Sequence, residues 1–83
     1  MHTFTTRGTC ARTIDFDIVD GKLHNISFEG GCNGNLKAIG KLLEGQPIDW
    51  VIERLEGNTC GRRSTSCTDQ LVQAIKAAQA GEI

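Results

Sequence analysis

The chain has 83 residues, one domain's worth, with nine basic and ten acidic side chains and a formal net charge of −1. That balance removes the electrostatic argument for nucleic-acid or membrane-surface binding. No stretch approaches the roughly 18 apolar residues of a membrane span, and Met1 to Arg7 lacks the apolar core of a secretory signal, so the cytoplasm is the expected location.

The first half reads as β structure. Thr3 to Thr6 is rich in β-branched residues and suits a short first strand. Ile14, Phe16 and Ile18 alternate with Asp15 and Asp17, the period of a half-buried strand. Asp20-Gly21 is a hairpin signal, because both residues accept positive φ. Lys22 to Phe28 is the expected return strand. Ile26 and Phe28 share a face and Leu23 is out of phase with them, which a bulge near His24 or Asn25 explains.

The second half reads as helical. A glycine turn, Gly30-Gly31-Cys32-Asn33-Gly34-Asn35, leads to Leu36, Ile39, Leu42 and Leu43 at helical spacing, with Gly45 as the stop. Pro47 suits the first position of a second helix, whose apolar residues are Ile48, Val51, Ile52 and Leu55 and whose stop is Gly57. A loop from Asn58 to Thr65 carries Cys60, Arg62 and Arg63. The last helix is expected to begin near Ser66, with Asp69 at the spacing of a capping box and Leu71, Ala74, Ile75 and Ala78 as its apolar stripe. These elements predict a single α+β domain over residues 1–83, a small antiparallel sheet of hairpin plus short N-terminal strand with three helices packed on one face.

Four cysteines in so short a chain exceed ordinary usage. In a secreted protein they would suggest disulfides, and in a reducing compartment they suggest metal or thiol chemistry. The bland alternative is four separate small hydrophobes. Against it, Cys10, Cys32, Cys60 and Cys67 all fall at predicted element ends beside Gly, Ser, Thr or Asn, not in apolar stripes. A cysteine binds metal as the thiolate, which helix N-termini and cations favour. Cys32 and Cys67 are each expected near such a terminus, and Arg7, Arg12, Arg62 and Arg63 lie close in sequence to the cysteines. The gaps of 21, 27 and 6 residues are not those of a zinc ribbon, so the fold itself must gather the ligands. The glycine turn only loosely resembles a phosphate loop, lacking its Lys-Ser pair. His2 near the chain end, His24 on a strand and Trp50 off the main stripe are read as structural.

Thr65-Ser66-Cys67-Thr68-Asp69 resembles the signature of the TSCPD domain, with Thr68 where the family name has Pro. The order Cys10, Gly31-Cys32-Asn33-Gly34-Asn35-Leu36, Cys60-Gly61, Cys67 resembles that family's layout from about Arg7 to Ala80. The resemblance implies a stand-alone form of a domain found at the C-terminal end of cobalamin-dependent ribonucleotide reductases. It implies metal, zinc in that family, on Cys10, Cys32, Cys60 and Cys67. It further implies a link to deoxyribonucleotide synthesis and nucleotide binding, a reductase as partner, and no catalysis by this chain alone. The hairpin, Gly-Cys turn and late cysteine are also similar to iron–sulfur scaffolds of the NifU and IscU type, where Cys10, Cys32 and Cys67 would be the ligands and Cys60 an extra one. An iron–sulfur cluster scaffold or carrier, and a thiol–disulfide relay through Cys60 and Cys67, are therefore the rival expectations.

Overall fold

The computed structural model describes residues 1–9, 11–30, 33–59 and 65–83. They form β1 (His2–Thr5), β2 (Ala11–Val19), β3 (Lys22–Gly30), α1 (Asn33–Leu43), α2 (Ile48–Leu55) and α3 (Cys67–Gln79). The strands make one antiparallel sheet in the order β1-β2-β3, giving the expected α+β architecture.

Alternation on β2 decides which face of the sheet is dry. Ile14 and Phe16 are fully buried, and Phe4, Ile18, Ile26 and Phe28 pack beside them. Phe4 on β1, Ile14 on β2 and Phe28 on β3 are cross-strand partners, so one apolar row crosses all three strands. At the hairpin, Asp20 (φ 52°) and Gly21 (φ 72°) both take the left-handed conformation that the Asp-Gly pair predicts.

The expected bulge is present. Asp15 pairs with Ser27 and Asp17 with His24, so Asn25 and Ile26 together oppose Phe16 alone. Asn25 absorbs the extra residue at φ 55°. Leu23 can then face inward opposite Ile18 while Phe28 faces inward opposite Ile14, although the two lie at odd spacing. A second irregularity, between Ala11 and Thr13, sets Arg12 outside the ladder.

The open edge of β3 is partly covered by the chain after α1. The Leu23 N–H donates to the Gln46 carbonyl at 2.9 Å, the Gly45 N–H donates to the Leu23 carbonyl at 2.6 Å, and Pro47 bridges to Lys22.

Three helical expectations are corrected. Asn33, Gly34 and Asn35 belong to α1 and not to a preceding turn. The first turn of a helix needs no intrahelical N–H bonds, so poor helix formers are tolerated there. Leu42 is 74% exposed and leaves the apolar stripe, whose buried members are Leu36, Gly40 and Leu43. Pro47, with ψ 135°, is the N-cap of α2, and the first helical residue is Ile48.

The core joins the sheet to all three helices. Leu43 of α1, Ile48 and Val51 of α2, and Leu71, Ala74 and Ile75 of α3 close on Ile14, Phe16 and Leu23 of the sheet. Among the described residues no helix is long and apolar enough to cross a membrane.

Candidate metal centre

α3 starts where its sequence says it should. Ser66 is extended (φ −145°, ψ 172°), and its Oγ accepts the Asp69 N–H at 3.1 Å, capping one otherwise unpaired donor of the first turn. Cys67 is the first helical residue and is half-buried. It is the one predicted ligand among the described residues. Cys10, Cys32 and Cys60 lie outside them, as do Arg62 and Arg63. Among the described residues, no three His, Cys, Asp or Glu side chains gather as a metal would require.

The segments that flank the four cysteines are nevertheless fixed to one another through described residues. Ala11 and Gly30, next to Cys10 and near Cys32 in sequence, are cross-strand partners at one end of the sheet. The Thr6 and Thr9 hydroxyls both donate to the carbonyl of Ala11, the first residue of β2. The Arg7 N–H donates to Gln70 Oε1 on α3 at 3.1 Å. Gly8, at φ 71°, lies so close to Thr65 that a Cβ there would stand 3.3 Å from Thr65 Cγ2. On the Cys60 side, the Gly57 N–H donates to Asp69 Oδ1 at 2.8 Å. Asn58 Nδ2 donates to Thr68 Oγ1 at 2.9 Å, and the Ser66 hydroxyl donates to the Asn58 carbonyl at 2.5 Å.

Sequence reasoning missed the centre of this network. The expected capping box places Asp69 back toward Ser66, and only half of that box forms. The Asp69 carboxylate instead takes Gly57 on one oxygen, and on the other Thr65 Oγ1 at 2.5 Å and Gln73 Nε2 at 3.2 Å. Gln70 Nε2 completes the link by donating to Thr65 Oγ1 at 3.1 Å. Thr65, Ser66, Thr68, Asp69 and Gln70 are all buried, and no buried side-chain N or O atom among the described residues lacks a partner. The Thr65 hydroxyl, opposed by burial and reinforced by Gly57 and Gln73, holds the Asp69 carboxyl below the ordinary carboxylate range. The available signal was the unbroken run of polar or thiol residues from Thr65 to Gln70 at a helix start. Such a run ordinarily reads as solvated surface.

The residues read as structural are engaged elsewhere. The His2 ring centre lies 5.3 Å from that of Phe16, and His24 Nδ1 is 2.6 Å from Glu44 Oε2. The Asn25 N–H, and then His24, hold the Glu44 carboxyl below its usual range. Trp50 is 37% exposed, with the Arg54 guanidinium 4.4 Å from its ring centre. Arg7 and Arg12 are exposed.

The arrangement is a hydrogen-bonded polar node at the start of α3, beside Cys67. The family model of the TSCPD domain matches residues 2–79, nearly the whole chain, and the chain belongs to that family. It is thereby a ribonucleotide reductase-related domain. No curated protein and no solved structure gives a significant match.

Proposed function

We propose that this chain is a metal-binding accessory module of ribonucleotide reduction, holding one zinc ion on Cys10, Cys32, Cys60 and Cys67. Family membership supports the association with a reductase as protein partner and with deoxyribonucleotide synthesis in the cytoplasm. One observation carries the zinc reading. The sequence neighbours of all four cysteines meet through Ala11–Gly30, Arg7–Gln70 and Gly57–Asp69, so segments far apart in sequence share one end of the domain. A four-thiolate donor set suits a soft, tetrahedral ion. When bound, zinc supplies a crosslink between four chain segments and no redox chemistry. The chain's own residues supply the rest: Ser66 caps the helix that presents Cys67, and backbone pairing fixes the strand ends.

Metal analysis of natively expressed protein is expected to give about one zinc per chain, and Cys67→Ser is expected to lose it and lower the melting temperature. Protein that retains no metal and is equally stable after chelation would defeat the reading. A brown product with visible absorption after anaerobic reconstitution with iron and sulfide, from protein that holds no zinc, would replace it with the iron–sulfur scaffold.

A further inference from the structure

We propose that Asp69 is a positioning residue for the thiol site: it binds no metal, and it locks the stem of the Cys60 loop onto the start of α3 so that the site is set before metal arrives. This rests on the zinc reading above.

Both carboxylate oxygens of Asp69 are already occupied. Oδ1 accepts from the Gly57 N–H, and Oδ2 accepts from Thr65 and Gln73. The residue is buried, and its backbone N–H is held by the Ser66 hydroxyl. Three of the carboxylate's roughly four acceptor positions are taken by protein donors, so most of its capacity goes to holding the fold together. It joins two segments. Gly57, at φ 78°, ends α2 and opens the stem toward Cys60, while Thr65 and Asp69 bracket Cys67. Thr65 passes the link on to Gln70, and Gln70 passes it to Arg7, the stem of the Cys10 loop. One carboxylate thus anchors a chain of hydrogen bonds running through the bases of three of the four cysteine-bearing segments. Hydrogen bonds to a carboxylate are the strong kind, and partners outside the ligand shell commonly tune metal affinity about 10- to 100-fold.

The test compares wild type, Asp69→Ala, Asp69→Asn and Thr65→Val with zinc alone as the probe. Zinc affinity and release are read against a chromophoric chelator, and backbone amide exchange is read on the metal-free protein. Asp69→Ala is expected to weaken zinc about 10- to 100-fold, mainly through faster release. It is also expected to lose protection at the Gly57 amide while circular dichroism stays that of the wild type. Asparagine can accept the Gly57 N–H, so Asp69→Asn is expected to recover most of both. If Asp69→Ala does not fold, Thr65→Val, which keeps the side-chain shape and removes the hydroxyl, is expected to show the same faster release in milder form. Wild-type affinity and wild-type Gly57 protection in Asp69→Ala overturn the proposal, as does wild-type release from Thr65→Val should the alanine variant not fold. Wild-type protein that takes up no zinc overturns the zinc reading, and this proposal falls with it.

Discussion

Asn25 holds its backbone at φ 55°, a conformation that costs most L residues about 1–2 kcal/mol and that asparagine tolerates best after glycine. Its side chain and backbone both contribute there. Nδ2 donates to Asp17 Oδ2 at 3.0 Å across the hairpin, and the backbone N–H donates to Glu44 Oε1 at 2.8 Å at the end of α1. Asn25→Val is therefore expected to lower stability by about 2 kcal/mol, and Asn25→Gly by clearly less, read from urea denaturation midpoints. Part of this was legible in advance. Leu23 at odd spacing from Ile26 and Phe28 demanded an extra residue, and Asn25 was one of two that could supply it. The Glu44 partnership was not legible, because it joins a bulge to a helix end 19 positions away. The fate of Asp69 was hidden for the same reason. Local spacing pointed its carboxylate at Ser66, but the N–H it accepts comes from Gly57, 12 positions earlier at the end of another helix.

Elements followed their periodicity closely where one face alone was buried. β2 is the clear case, where the Asp15 and Asp17 alternation gave the right inner face; on α3 the expected Leu71, Ala74 and Ile75 are buried, but so is every residue from Thr68 to Val72, so the start of that helix is covered on all sides. α1 departs from that pattern for a reason specific to its neighbour. Gly40 sits in the middle of its inward face, where a Cβ would stand 3.2 Å from the Ile26 carbonyl oxygen. The helix lies directly against the backbone of β3, which a glycine permits and a larger residue does not. Leu42, nearer the rim of that face, is left in solvent. A hydropathy pattern counts Leu42 as core and Gly40 as a gap, the reverse of what packing selects. Gly40→Val is expected to push α1 off β3 and lower stability by about 2 kcal/mol, measured by thermal or urea unfolding. A neutral result would mean that the helix is free to shift without loss.

At the scale of the whole molecule, the sheet and all three helices share one apolar cluster, so no layer has a separate interior. A domain of this size is stable by roughly 0.1 kcal/mol per residue. Leu71→Ala, at a fully buried position touching that shared cluster, is expected to cost about 3 kcal/mol. Strand and helix signals should fail in one transition, checked by unfolding followed with two probes. Two separated transitions would mean that the helices and sheet melt as independent units. The gathering of cysteine-flanking segments also belongs to this scale. Their wide gaps along the chain carry no local signal, and only strand pairing and the contacts of α3 bring their neighbours together.

The placement of the single indole has a practical consequence for such measurements. Trp50 lies on the outer side of α2 with a guanidinium stacked on it, already in touch with solvent in the native state. Its emission is therefore expected to respond to the stacked cation and adjacent water. Acrylamide is expected to quench it without unfolding, and a binding partner that lands on α2 would shift its colour while leaving the fold unchanged.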